Sequence, residues 1–439
     1  GKMLKNYQIY SRKYEYAVFN NFFKKLETKD FVASELFESI KLLMGNACAN
    51  KVKKSGLENL HNFIPCEYLP FLVKILQKRI DKFFLHFSVL FAKKKLGLRK
   101  NFFVDQSIIY RIHYPFEIGK KSNLKKANYL KLNLDHYKSA KQQIKNSLKN
   151  KNLHQIEKRF KEAIKYHRNL PTAVWCHGPH KDTWFGHSYN GINIWYAVAG
   201  VTKKNGVILY PSISAKNLKH LRSPNYIAPG QLLPKPIIPA VNNGSLLIFN
   251  SETLHATRIN TSNTTRIVIT TRINPFKPTF YDGTTEAEYP SWFSAQDIEK
   301  NIFESPISFP RKENLKPKKK TKKTPIKSGR VFVINKKLPQ KEPVYICKSQ
   351  KIKNNEKILL KFQNRQIILF KSESKFHALS ASCPHVGINL IDGFHDKKSI
   401  FCPGHGLRFD VKSGFSECKR LRIKIFRIKN ISKKLYLIN

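Results

Sequence analysis

The sequence predicts a mainly β chain with an α-helical N-terminal region, its strands gathered into two units on either side of a basic, proline-rich stretch. Three changes of texture carry that expectation. Residues 1–170 place apolar residues at helical spacing, as in YLPFLVKILQKRIDKFFLHF and IEKRFKEAIKYH, with few turn clusters. Residues 171–309 switch to short runs punctuated by Gly, Pro and Asn: INIWYAVAG, GVILYP, GSLLIFN and TTRIVITTRI. After PRKENLKPKKKTKKTPIKSGR (310–330), residues 331–439 return to strand-like runs: RQIILF, KFHALSA, KSIFCPG and LRFDV.

Each element has its own justification. The most hydrophobic part of the helical region, FFLHFSVLFA (83–92), falls short of the ~20 residues that span a bilayer, and Lys and Arg flank it, so a buried helix is expected. No signal-like leader is visible, and the seven cysteines form no disulfide framework, which together predict a cytoplasmic setting. Residues 310–330 combine self-repelling charge with proline and predict an extended, solvated linker.

At 41% hydrophobic and 12% aromatic the chain is too apolar for a disordered protein, and at 439 residues it is long enough for two or three cores. Lys and Arg number 81 against 29 Asp and Glu, so 81 − 29 gives +52. The basic residues are spread along the whole chain, and Lys, Asn and Ile are abundant together, as A/T-rich coding produces. No specific nucleic-acid partner is expected without a patch or motif. An anionic small-molecule substrate or an acidic redox partner fits the charge equally well.

Two constellations carry chemistry. In the middle zone, WCHGPHKDTWFGHSYNGINIWYAV contains His180-x-Asp182, and GSLLIFNSETLHAT contains the distant His255. Two imidazoles and one carboxylate hold Fe(II) on one face and leave the other positions open. His177 and His187 are rivals, but neither has a carboxylate two residues on. Eleven residues past His255 stands Arg266, in a strand-like run, where a guanidinium can hold a dicarboxylate in a bidentate contact. The Pro-rich SPNYIAPGQLLPKPIIPA (223–240) lies where a lid would sit, or is a connector.

In the last zone, Cys383-Pro-His385 and Cys402-Pro-Gly-His405 stand sixteen residues apart. Such pairs can bind zinc or an iron–sulfur cluster. Zinc sites of mixed ligands usually pair like with like, whereas one thiolate and one imidazole per hairpin suits a [2Fe–2S] cluster with two Cys on one iron and two His on the other.

The stretch ALSASCPHVGINL, a spacer and FCPGHGLRFDVKSG resemble the Rieske family over residues 331–439. The resemblance implies a small antiparallel β-sandwich with the cluster at its tip, held by Cys383, His385, Cys402 and His405. Neither loop has the extra Cys of high-potential members, which points to the soluble ferredoxins and oxygenases.

His180-x-Asp182, GVILYPSI and GSLLIFNSETLHAT with Arg266 resemble the phytanoyl-CoA dioxygenase-like family of Fe(II)/2-oxoglutarate oxygenases. That resemblance implies a double-stranded β-helix, or jelly roll, within an oxygenase domain of residues 1–309, with its core in 171–309. Fe(II) would sit on His180, Asp182 and His255, and the 2-oxoglutarate C5 carboxylate on Arg266, with Thr257 adding a hydroxyl contact. It implies a hydroxylase that consumes O2 and 2-oxoglutarate and acts on a C–H bond of a small metabolite. Because the cosubstrate supplies both electrons, the cluster is surplus to that cycle. It is expected to re-reduce iron, drawing on a ferredoxin or flavin reductase. An electron-transfer protein without catalysis, and a Rieske-type oxygenase independent of 2-oxoglutarate, are the alternatives.

Overall fold

Strand β4 (Ile192–Ala199) is buried along all eight residues, and its alternation shows how the layers are arranged. Ile192, Ile194, Tyr196 and Val198 point into one core, while Trp195 and Ala197 point into another. Side chains of a strand alternate between faces, so a strand buried on both reads as an unbroken apolar run. The same division holds in β6 (Leu246–Asn250), with Leu246 and Ile248 on one side and Leu247 and Phe249 on the other. In β8 (Arg266–Asn274), Ile267, Ile269 and Ile273 share the first face.

The computed structural model describes residues 16–22, 28–118, 176–221, 225–281, 291–309, 314–315, 324, 326–385 and 387–438. Three helices, α1 (Thr28–Met44), α2 (Asn46–Ser55) and α3 (Leu69–Leu96), cover the first face of the sheet. Lys93, Lys94 and Lys95 sit in the last turn of α3, and Gly97 ends it in the left-handed conformation at φ 70°. Among the described residues no helix is long and apolar enough to cross a membrane.

The region expected to be helical also contains three strands. β1 (Tyr16–Phe19) pairs with β6, whereas β2 (Phe103–Asp105) and β3 (Ile109–His113) pair with β8, all antiparallel. With β10 (Trp292–Ser294) on β2 they complete a seven-stranded sheet, β1-β6-β4-β8-β2-β10 with β3 also on β8. Runs of three to five residues are too short for a period of two to stand out, and their partners lie far along the chain. A smaller sheet, β5 (Val207–Leu209) with β7 (His255–Thr257), faces the inner side. The helix expected over 156–167 and most of 310–330 lie outside the described residues. Of the latter, Leu232 N–H donates to the Ile326 carbonyl at 2.9 Å.

The second unit is a seven-stranded sheet. Its order is β12 (Arg330–Ile334), β14 (Lys357–Phe362), β15 (Gln366–Ser372), β16 (Lys375–Ser380), β19 (Ile425–Ile431), β20 (Lys434–Ile438) and β13 (Val344–Lys348). Only β12 and β14 are parallel. The hairpin β17 (Ser399–Phe401) and β18 (Arg408–Asp410) adds the second Cys-His loop at its turn. Phe116, Cys176 and Ile259 of the first unit pack into the core that surrounds Cys383, Cys402 and Leu407, so the two units share one apolar contact.

A half-buried carboxyl joins the helical layer to the sheet. The Tyr110 hydroxyl on β3 donates to Asp81 on α3 at 2.5 Å. Burial, only partly offset by the Tyr110 bond and by Lys74, raises the Asp81 carboxyl from 3.8 to about 7. The folded state therefore holds the proton more tightly than the unfolded one, and stability is lost as pH rises from about 4 through about 7. Asp81→Asn is expected to flatten that fall by up to a few kcal/mol. Melting temperatures of both proteins between pH 5 and 8 check this, and parallel curves would contradict it.

Candidate iron and cluster sites

Two short segments from opposite ends of the middle zone are held together by main-chain bonds. His180 N–H donates to the His255 carbonyl at 2.9 Å, and His255 N–H returns to His180 at 3.0 Å. Asp182 N–H donates to the Ser251 carbonyl at 3.0 Å, at the start of a 3-10 turn (Asp182–Phe185). The side chains of His180, Asp182 and His255 thereby converge, with ligand atoms all within 4.8 Å of one another.

Their outer partners set the orientation. His180 Nδ1 lies 2.8 Å from the Gly178 carbonyl and His255 Nδ1 lies 2.9 Å from that of Thr253. A carbonyl only accepts, so each Nδ1 carries the proton and each Nε2 offers its lone pair inward. Asp182 Oδ1 stands 3.7 Å from His180 Nε2 and 3.5 Å from His255 Nε2. Its Oδ2 accepts from Asn193 Nδ2 at 2.7 Å and from Arg272 Nε at 3.0 Å. Burial alone raises the Asp182 carboxyl, but Arg272 and His255 outweigh it and hold it well below the usual range. Burial, then the neighbouring His180, brings the His255 imidazole down to about 3. Two imidazoles with Nε2 turned inward and an ionised carboxylate are the donor set that Fe(II) takes, so these residues fit the metal.

The cavity over this triad is lined by three arginines. Arg266 is 1% exposed; its Nη1 donates to the Asn205 carbonyl at 2.8 Å and its Nη2 meets His113 Nδ1 at 2.7 Å. Arg266 Nε is buried without a hydrogen-bond partner. Arg272 is committed to Asp182 and, at 3.7 Å, to Asp105. Arg111 on β3 makes no hydrogen bond or ion pair among the described residues, and it lines the same cavity. Thr257 and His177 also line it, and His177 Nδ1 lies 3.0 Å from the Tyr226 hydroxyl. Sequence reasoning selected Arg266 and Thr257 but missed Arg111, Arg272 and Asn193. Arg266 and Arg272 are six apart on one strand, hence on one face, and that signal was present in TTRIVITTRI.

The second constellation forms at the tip of the other unit. Cys383 and Cys402 are buried, and their thiols are within hydrogen-bonding reach of each other. The His385 and His405 rings stand 5.1 Å apart at 83°. The contact with Cys383, and main-chain N–H groups of His405 and Gly404 aimed at its sulfur, lower the Cys402 thiol below its ordinary value despite burial. His405 Nδ1 is buried with no hydrogen-bond partner. Two thiols, two imidazoles and an orphaned ring nitrogen fit a [2Fe–2S] group of mixed ligation. His187, the rival ligand, is not in either group.

Asp182→Ala is expected to lose a mononuclear iron and keep the cluster's visible absorbance, and Cys402→Ser to do the reverse. Metal analysis with absorption spectra checks both, and joint loss in either variant would contradict two separable centres.

Residues 92–268 match the phytanoyl-CoA dioxygenase (PhyH) family and residues 342–423 match the Rieske [2Fe-2S] domain. Human apoptosis-inducing factor 3 is 29% identical over 69 residues, 16% of this chain, which spans only 11% of that relative's length. The ferredoxin component of the naphthalene 1,2-dioxygenase/salicylate 5-hydroxylase systems of Ralstonia sp is 33% identical over 72 residues, 16% of this chain and 69% of that one. Among solved structures, the ferredoxin of carbazole 1,9a-dioxygenase from Nocardioides aromaticivorans IC177 is 21% identical with a TM-score of 0.21, covering 22% of this chain and 96% of that one. The chain therefore carries a region matching the PhyH family at 92–268, followed by a Rieske [2Fe-2S] domain at 342–423.

Proposed function

We propose that the protein is an Fe(II)- and 2-oxoglutarate-dependent oxygenase that hydroxylates a small, anionic metabolite, with its Rieske domain supplying electrons to the iron site. In this reading the two sheets of the PhyH region form a jelly roll, and residues 310–330 link it to the Rieske domain. The observation that carries the proposal is one cavity holding both the His180, Asp182 and His255 triad and a guanidinium, Arg111, with no hydrogen bond or ion pair of its own among the described residues.

The bound iron would supply oxygen activation; the chain's own residues do the rest. His180, Asp182 and His255 would hold the metal. Arg272 and Asn193 keep Asp182 ionised and turned inward. Arg111, beside Arg266 Nε and Thr257, offers charge-assisted hydrogen bonds to the carboxylates of 2-oxoglutarate. Burial, with Arg111 and His180 adding like charge, brings His177 down to about 2 and keeps it neutral beside the metal. Trp195 and Phe249 give part of the cavity an apolar wall.

Electron supply from the Rieske domain fits the occasional loss of iron to the ferric state, which 2-oxoglutarate does not repair. The proximity of the cluster loops to this cavity also favours a second reading, a Rieske-type oxygenase driven by a ferredoxin or flavin reductase alone.

Oxygen-dependent conversion of 2-oxoglutarate to succinate separates the two. It is expected in the Fe(II)-loaded protein and is abolished by Asp182→Ala. Arg111→Gln is expected to raise the KM for 2-oxoglutarate by roughly 10- to 100-fold, the loss of a charge-assisted contact of about 1.5–3 kcal/mol. Substrate turnover with reductase electrons and no 2-oxoglutarate would support the second reading instead.

A further inference from the structure

The loops that hold the cluster ligands face the PhyH domain. His405 is 7% exposed, and its Nε2 lies 3.1 Å from the Cys176 carbonyl oxygen, to which it donates. That carbonyl opens the peptide leading into His177, whose own carbonyl accepts Thr257 N–H at 3.0 Å. Thr257 stands two residues from His255 on β7. A second connection runs along the same strand: the His405 carbonyl accepts Ile259 N–H at 3.4 Å, four residues beyond His255. Four extended residues span at most ~14 Å.

The contact is closely fitted. Gly406 adopts φ +67°, and a Cβ there would stand 2.4 Å from Ile208 Cδ1 of β5, the partner strand of β7. The Phe116 ring meets the His385 ring edge-on at 6.1 Å. Ion pairs hold the rim. Arg258, just past β7, pairs with Glu417. Arg420 pairs with Glu117 at 2.5 Å and donates to the Thr261 carbonyl at 2.6 Å. On the far side Gly230 N–H donates to the Asp392 carboxylate at 3.1 Å. From the same loop Tyr226 reaches back to His177.

We infer that this interface is the electron route between the two centres and that it operates within a single chain, through His405, the Cys176–His177 peptide and the strand bearing His255. Arg258, Glu417 and Arg420 are positioning residues that hold the two units in register. The inference rests on the electron-supply reading above. One electron leaves the reduced cluster and converts ferric to ferrous iron, leaving the cluster oxidised by one electron. A flavin-dependent reductase or a ferredoxin replaces that electron, and no atoms are transferred.

The test starts from full-length protein with ferric mononuclear iron and a cluster reduced anaerobically, and follows the cluster's EPR signal by rapid freezing. The unaltered protein is expected to lose that signal in a first-order process whose rate does not change with protein concentration. Glu417→Arg and, separately, Arg420→Glu are expected to slow it at least tenfold without altering the line shape of the reduced cluster. Arg258→Glu combined with Glu417→Arg is expected to transfer faster than either single variant. Unchanged rates in both single variants would overturn the route, and a rate proportional to concentration would overturn transfer within one chain. If the unaltered protein transfers no electron at all, the electron-supply reading itself fails and the route with it.

Discussion

One extended segment, residues 255–259, must satisfy two centres at once, and the rest of the arrangement follows from it. Its first residue, His255, joins the iron triad through a reciprocal main-chain pair with His180. Its last, Ile259, donates to the carbonyl of His405 in the cluster loop. Between them Thr257 lines the cavity and Arg258 pairs with Glu417 of the Rieske domain. A strand has only two faces and one hydrogen-bonding edge on each side, so a shift of one residue would exchange these roles. β5 fixes the register by pairing Leu209 with His255 and Val207 with Thr257.

The buried charge of the iron cavity needs this rigidity. Arg111, Arg266 and Arg272 all line it, with the carboxylate of Asp182 facing the metal position. Three guanidiniums around one carboxylate are costly to bury without partners. Arg272 is balanced by Asp182 and Asp105, and Arg266 by main-chain and imidazole acceptors. Arg111 makes no hydrogen bond or ion pair of its own among the described residues, and the proposed anionic cosubstrate would use that guanidinium.

Both centres were legible in the sequence because their ligands are close in number or rare in kind. His180-x-Asp182 lies within three residues, and two Cys-His pairs have few other uses. The strands of the middle zone were legible because each is buried on both faces and reads as an apolar run. β1, β2 and β3 were not, since each is at most five residues long and takes its hydrogen bonds from strands far along the chain. Arg111 escaped for the same reason: its place in the cavity depends on β3 lying beside β8, with His113 opposite Arg266. The docking of the two units was invisible because its main-chain contacts at Cys176 and Ile259 carry no residue signature, and its ion pairs, Arg258 with Glu417 and Arg420 with Glu117, join residues far apart in the chain.

Magnetic coupling between the two centres tests the account most directly. With nitric oxide bound to ferrous mononuclear iron and the cluster reduced, both are paramagnetic. The account predicts faster relaxation of the cluster's EPR signal than in iron-depleted protein, unchanged by dilution. Identical relaxation with and without the mononuclear iron would contradict it.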